Sequence, residues 1–199
     1  PFVLKVPKDE NELIKPAVEG TKRALKAAKK SGVKRMVITS SIIAMLGDID
    51  GSMDVNQDSW TNVNAKYATA YAKSKTLAEK SAWDFISDQQ GDKKLELVVV
   101  NPGPICGPTL TGNLSGESMT LYAKMINGKM PLLPQGDVNF SDVRDVASIH
   151  VQALENDDAN GKRFIVTTEQ TYSFQKVAQI LKANGHDKVS TKVAPNFFL

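Results

Sequence analysis

Apolar and polar positions along the chain follow two alternating patterns. Apolar residues at helical spacing predict helices at residues 9–31, 68–90, 118–127, 143–155 and 173–184. Short apolar or β-branched runs predict strands at residues 33–39, 95–100, near 138 and at 163–168. Helices and strands therefore alternate along most of the chain.

One strand shows what kind of sheet to expect. The run Leu97-Val98-Val99-Val100 is apolar at every position, so neither face of this strand is suited to water. Such strands are typical of parallel sheets covered on both faces. Together with the alternation of elements, this predicts an α/β fold with a doubly wound, Rossmann-like parallel sheet.

Two residues indicate where the first helix starts and ends. Gly32 is suited to the left-handed conformation that ends a helix, and Pro16 is predicted to kink the helix or mark its true start. A polar loop rich in Asp and Asn, at residues 47–65, separates the first strand from the second helix.

The chain contains no Gly-x-Gly-x-x-Gly and no Gly-x-x-x-x-Gly-Lys-Ser/Thr motif. A nucleotide-binding sheet normally carries such glycines in its first strand-to-helix turn. We expect that turn to precede residue 1. Apolar runs at both ends, residues 1–4 and 196–199, also indicate an interior piece of a longer protein, although a terminus folded back onto the core is the alternative.

Composition narrows the class of protein. The hydrophobic fraction of 41% and the charged fraction of 24% are ordinary for a globular domain. A net charge of +3 gives no reason to expect nucleic acid or an anionic membrane as a partner. The single cysteine, Cys106, cannot form an internal disulfide, which favours a reducing compartment and predicts a cytoplasmic protein.

Membrane insertion and secretion find no support in the sequence. The longest uncharged stretch, residues 97–116, contains three prolines and four glycines and is unsuited to a transmembrane helix. The first ten residues lack the apolar core of a signal peptide.

The candidate chemistry is a Tyr-x-x-x-Lys motif, Tyr71 and Lys75, in the second predicted helix. A spacing of four places both side chains on one face of a helix. The lysine ammonium is expected to lower the phenol pKa from its usual value of about 10. The tyrosine can then exchange a proton with a carbonyl or an alcohol.

A second Tyr-x-x-x-Lys, Tyr172 and Lys176, shows that the spacing alone is weak evidence. The first motif differs in following a strand that ends in Thr39-Ser40-Ser41, and ligands of parallel sheets bind beyond the carboxyl ends of strands. We therefore expect Tyr172 to be a packing residue.

The chain resembles the extended short-chain dehydrogenase/reductase superfamily, and within it the dihydroflavonol reductase and cinnamoyl-CoA reductase group. The resemblance covers nearly the whole chain and rests on these segments: Lys15-Pro16-Ala17-Val18-Glu19-Gly20-Thr21, Val37-Ile38-Thr39-Ser40-Ser41, Asp58-Ser59-Trp60-Thr61-Asn62, Tyr71-Ala72-Lys73-Ser74-Lys75-Thr76-Leu77-Ala78-Glu79, Asn101-Pro102-Gly103-Pro104 running to Gly107-Pro108, and Asp142-Val143-Arg144-Asp145-Val146-Ala147.

The resemblance implies roles for individual residues. Tyr71 would be the general acid, Lys75 would lower its pKa and bind the nicotinamide ribose, and Ser41, in preference to Ser40, would hold the substrate oxygen. Tyr71 and Lys75 would thus also contact the cofactor. Its nicotinamide would be bordered by the loop after the Val-rich strand, namely Pro102, Gly103, Pro104 and Ile105.

The resemblance also implies a domain arrangement. Residues 1–101 would be the C-terminal part of a dinucleotide-binding domain, and residues 102–199 a substrate-binding lobe mixed with returning Rossmann elements. Roughly 80 residues, about three strand-helix units, would be absent before residue 1, and a shorter part of the lobe after residue 199.

The function implied is reduction of an aldehyde or ketone with NADP or NAD, NADP being favoured. The expected partner is a small carbonyl compound, and the protein is expected to be a monomer or a weak homodimer without a metal. The alternative is a sugar-nucleotide epimerase or dehydratase, against which Lys15-Pro16 before Ala17-Val18-Glu19-Gly20-Thr21 argues, and a non-catalytic relative is a third possibility.

Overall fold

The computed structural model describes residues 7–48, 54–113 and 115–195. The apolar ends at 1–4 and 196–199 lie outside these ranges. In chain order the elements are α1 (Asn11–Lys30), β1 (Arg35–Thr39), α2 (Ala70–Ser87), β2 (Glu96–Pro102), β3 (Ile105–Cys106), α3 (Glu117–Ile126), β4 (Asp137–Val138), β5 (Ser141–Asp142), α4 (Val143–Glu155), β6 (Arg163–Val166), β7 (Tyr172–Ser173) and α5 (Phe174–Ala183).

The chain divides into two compact units. Of the described residues, the first unit contains those up to 102 together with 145–166, and the second contains those at 103–144 together with those from 167 onward. The return of residues 145–166 to the first unit places α4 and β6 beside the N-terminal elements. The assignment of a substrate-binding lobe to part of residues 102–199 stays a prediction.

The first unit is built on a parallel sheet with strand order β1-β2-β6. On one face, Leu97 and Val99 of β2 pack with Leu25 of α1 and Ala82 of α2. On the other face, Val98 packs with Ala153 of α4 and with Ala159. The central strand is thus covered by helices on both faces, which confirms the predicted α/β class.

The first helix contains Pro16 in its second turn rather than beginning there. Proline lacks the N–H that would bond to the carbonyl of Glu12. Both residues are exposed, so water can satisfy that carbonyl. The helix ends as predicted: Gly32 has φ 70°, and the Val33 N–H donates to the carbonyl of Ala28 at 3.0 Å.

The second unit has a core of its own. Tyr122 and Met125 of α3 pack with Leu133, Ala178 and Val189. Its strands are short: β3 pairs parallel with β5, and β4 pairs antiparallel with β7. Only β4 of these four was expected, because strands of two residues leave no periodic pattern in the sequence.

Within the described ranges, no helix combines the length and the apolarity that a membrane span requires. The same residues contain no group of three or more His, Cys, Asp or Glu side chains placed to hold a metal ion.

Candidate active site

The serine pair lies directly after β1, at the carboxyl end of the parallel sheet. The Ser40 N–H donates to the carbonyl of Val100 at 2.8 Å and so continues the pairing with β2. Ser41 is extended, with φ −162° and ψ 151°, and its hydroxyl oxygen accepts a hydrogen bond from the Ile43 N–H at 3.3 Å. These contacts fix the backbone of the pair at the edge of the sheet where ligands bind in such folds.

The Tyr-x-x-x-Lys motif lies at the start of α2. Thr69 caps this helix, its hydroxyl accepting a hydrogen bond from the Ala72 N–H at 3.1 Å. Tyr71 therefore occupies the first turn and Lys75 the second, one above the other. Both side chains are partly buried.

The fold brings the side chains of Ser41 and Tyr71 into hydrogen-bonding contact. A hydrogen bond from Ser41 lowers the pKa of Tyr71, but burial raises this pKa by more. The net pKa of Tyr71 lies above its usual value, contrary to the direction expected from the lysine spacing. Burial outweighs the stabilisation of the tyrosinate by Ser41. The phenol is protonated at neutral pH, as an ordinary tyrosine also is, and therefore carries a proton that it can donate.

Two opposing effects also act on the pKa of Lys75. Burial lowers the pKa of its ammonium, while the attraction of Glu79, one turn further along α2, raises it by less. A partly desolvated ammonium of this kind is a ready donor of hydrogen bonds to hydroxyl groups.

The remaining predicted cofactor residues are divided between the two units. Pro102 ends β2 and pairs with Val166. Gly103 is tightly enclosed, since a Cβ built on it would lie 2.9 Å from the carbonyl oxygen of Asn139. Pro104 accepts a hydrogen bond from the Ser141 N–H at 3.1 Å, and Ile105 pairs with Ser141 in β3. A role of these four residues toward a cofactor stays a prediction.

The second Tyr-x-x-x-Lys motif has different surroundings. Tyr172 lies in β7, where its ring packs against Phe140 with centroids 6.2 Å apart. Lys176 is exposed. This is the packing role that the sequence predicted for Tyr172.

The structure adds three buried residues to which the sequence analysis gave no role: Glu79 of α2, Asn101 of β2 and Arg163 of β6. Arg163 donates to Glu79 at 2.6 Å, and Asn101 donates to it at 2.9 Å. One signal was available, since Glu79 extends the motif to Tyr-x-x-x-Lys-x-x-x-Glu. The partners on the strands carry no comparable pattern.

Trp60 anchors the polar loop to the sheet. The guanidinium of Arg163 lies 3.9 Å from the centre of its ring, and the Lys80 ammonium lies 5.3 Å from it. Cation–π contacts of this kind hold Trp60, and with it the loop, against β6 and α2.

Comparison with known proteins identifies the family. Residues 4–167 match the NAD dependent epimerase/dehydratase family. The chain is 32% identical over 197 residues to the NADPH-dependent methylglyoxal reductase GRE2 of Saccharomyces cerevisiae, covering 91% of this chain and 57% of the yeast protein. It is 33% identical over 188 residues to the cinnamoyl-CoA reductase CAD2 of Medicago truncatula, covering 92% of this chain and 55% of the plant protein.

Solved structures agree with this placement. The yeast methylglyoxal/isovaleraldehyde reductase Gre2 in complex with NADPH superposes with a TM-score of 0.80 at 30% identity, covering 96% of this chain and 61% of that one. The chain thus spans little more than half the length of the curated relatives it matches. These matches confirm the resemblance carried by the motifs, and the chain belongs to the NAD dependent epimerase/dehydratase family.

Proposed function

We propose that the protein containing this chain reduces an aldehyde or ketone to the alcohol with NADPH or NADH. The hydrogen bond between Ser41 and Tyr71, with Lys75 one turn along the same helix, is the observation that carries the proposal. The similarity to a methylglyoxal reductase and to cinnamoyl-CoA reductases favours carbonyl reduction over sugar epimerisation, and the name of the yeast relative favours NADPH.

Each of the three side chains has a distinct task in this reaction. The Ser41 hydroxyl binds the carbonyl oxygen of the substrate. The Tyr71 phenol, which is protonated at neutral pH, gives its proton to that oxygen as the carbonyl is reduced. The adjacent Lys75 ammonium offsets the negative charge left on the phenolate, which takes up a proton from solvent before the next turnover.

The residues present fit the ribose-nicotinamide end of the cofactor. The cofactor supplies the hydride that the carbonyl carbon accepts. Lys75 is desolvated enough that burial lowers its pKa, and ribose hydroxyls can replace the water it lacks. By resemblance, residues 102–105 would border the nicotinamide. No glycine-rich pyrophosphate turn occurs among the 199 residues, so that end of the cofactor is assigned to none of them.

The substrate class is tested with the full-length protein. Loss of NADPH absorbance is followed with methylglyoxal and with a simple aldehyde, and the alcohol product is identified. In parallel, UDP-glucose and UDP-galactose are incubated with catalytic NAD⁺. Stoichiometric NADPH consumption with alcohol formation is expected. Interconversion of the two sugars without net cofactor consumption would establish the epimerase alternative.

Tyr71→Phe is the matching variant test. It should lower kcat on the order of 10²-fold or more, because the positioned acid is lost, while NADPH binding is retained. Tyr172→Phe is the control, since it removes the hydroxyl from the chain's other Tyr-x-x-x-Lys motif and should leave kcat unchanged. If Tyr71→Phe keeps more than a tenth of the wild-type kcat, the assignment of the acid is wrong.

The cellular setting follows from the same proposal. A reductase of small carbonyl compounds with one free cysteine is suited to the cytoplasm, where thiols stay reduced. We expect no nucleic-acid or membrane partner.

A further inference from the structure

Glu79 is a buried carboxylate with every oxygen engaged. Its side chain is 1% exposed. Oε1 accepts hydrogen bonds from Arg163 Nε at 2.6 Å and from Trp83 Nε1 at 3.4 Å. Oε2 accepts from the Ser40 hydroxyl at 2.5 Å and from Asn101 Nδ2 at 2.9 Å. Burying a carboxylate is costly without such partners, so this arrangement holds the surrounding groups in fixed positions.

Two of these partners connect Glu79 to the serine pair. Ser40 does so directly, because its hydroxyl donates to the carboxylate. Asn101 donates not only to Glu79 but also to the backbone carbonyl of Ser41, at 3.2 Å. Glu79 thus fixes the side chain of one serine and, through Asn101, the backbone of the next. The hydroxyl of Ser41 is the group hydrogen-bonded to Tyr71.

Arg163 extends the same network to the polar loop. Its Nη1 donates to the carbonyls of Gln57 at 2.9 Å and Ser59 at 2.6 Å. Its guanidinium also covers the ring of Trp60. The Glu79 carboxylate of α2 therefore joins the end of β1, β2 and β6, and Arg163 connects the loop to this network.

We propose that Glu79 is a positioning residue of the reductase site, holding Ser41 at hydrogen-bonding distance from Tyr71 through Ser40 and Asn101. The proposal rests on the function proposed above. Glu79 touches neither substrate nor cofactor in this scheme. Its carboxylate has two acceptor oxygens, whereas an amide in its place has one oxygen and one NH₂ group.

Glu79→Gln is the first test, in the full-length protein. The variant has the same shape but cannot accept from all four donors, so Ser41 should shift and kcat should fall at least tenfold. KM for NADPH should stay within threefold, because the attraction of Glu79 is the smaller of the two effects on the pKa of Lys75 and the ammonium stays in place. Glu79→Asp should not restore kcat, since the shorter side chain cannot reach both Ser40 and Arg163.

Glu96→Gln provides a matched control. Glu96 accepts a hydrogen bond from Arg35 Nε at 2.6 Å, the same distance as in the Glu79–Arg163 pair, but Arg35 otherwise binds Asp157 and the carbonyls at the end of α4. Both glutamine variants lose an ion pair and should lower Tm. Only Glu79→Gln should lower kcat. Equal kcat values in the two variants would mean that Glu79 has only a structural role.

Ser40→Ala is a second variant, which tests the same network if Glu79→Gln does not fold. It removes one donor to Glu79 without changing any charge, and kcat should fall several-fold. A crystal structure of either variant gives a readout independent of activity: the Ser41 hydroxyl should lie beyond hydrogen-bonding distance of the Tyr71 phenol. An unmoved Ser41, or a kcat above half the wild-type value in Ser40→Ala, overturns the proposal.

The failure of the underlying function would look different. If the wild-type protein reduces no carbonyl compound and Tyr71→Phe matches it, the reductase proposal fails. The position of Ser41 in the variant crystal structures still decides whether Glu79 positions it.

Discussion

The Lys75 ammonium and the Glu79 carboxylate lie one turn apart on the same face of α2, yet their attraction does not offset the burial that lowers the pKa of Lys75. The charged form of Lys75 therefore lowers the free energy of unfolding at neutral pH. Such destabilising charges are common in enzyme sites, where the charge is needed for chemistry rather than for folding.

Replacing Lys75 with methionine should separate stability from activity. The Lys75→Met variant should melt about 1–3 °C higher at pH 7, since the partly desolvated charge is gone and Glu79 keeps its pair with Arg163. Its kcat/KM should fall on the order of 10²-fold and its KM for NADPH should rise. Calorimetry and steady-state kinetics check the two effects.

The pH dependence of that difference in Tm has a definite sign. The pKa of Lys75 is lower in the folded state than in the unfolded chain. The cost of burying its charge is therefore present below the folded pKa and disappears as the pH rises through the folded and then the unfolded pKa. The advantage of Lys75→Met should therefore shrink as the pH is raised from 7 towards 10. An advantage that grows with pH would contradict the direction given for Lys75.

Two glycines should respond to alanine in opposite ways. At Gly103 the new Cβ would lie 2.9 Å from the Asn139 carbonyl oxygen and 3.2 Å from Thr167 Cγ2, and the strain should lower the unfolding free energy by about 1–3 kcal/mol. At Gly20, in the middle of α1, nothing lies within 4 Å of the new Cβ. Gly20→Ala should raise the unfolding free energy by about 0.5–1 kcal/mol.

Urea denaturation of both variants checks this pair. Gly20→Ala controls for the general effect of adding a methyl group. Similar changes in both variants would show that Gly103 is not tightly packed.

The sequence predicted those elements whose apolar positions form a recognisable run or spacing. The apolar run at 97–100 correctly indicated a strand buried on both faces, and the spacing of Tyr71 and Lys75 correctly placed them on one helix face. The ion pair of Glu79 with Arg163 joins residues far apart in the chain, and no periodicity encodes such a pairing. The pKa of Tyr71 depends on burial, which spacing alone does not determine.

The oligomeric state is expected to be a monomer or a weak dimer. A dimer built on the exposed faces of α1 and α2 would be the tight alternative. Here α1 carries exposed cationic residues, and interfaces usually exclude lysine from their cores; those residues are Lys15, Arg23, Lys26 and Lys30. Sedimentation of the full-length protein should show monomer at nanomolar concentration, and a tight dimer there would contradict the expectation.

The 199 residues expressed alone should bind NADPH poorly and show no reductase activity, although Ser41, Tyr71 and Lys75 are all present. The pyrophosphate is normally held by backbone N–H groups of a glycine-rich turn at a helix N-terminus, and this sequence has no such motif. Without that anchor the nicotinamide is not held near Tyr71, and proximity accounts for about 7–11 kcal/mol of the barrier in well-oriented reactions. Fluorescence titration with NADPH, compared with the full-length protein, measures the loss. Micromolar binding together with turnover of a simple aldehyde would show that the glycine-rich turn is not required.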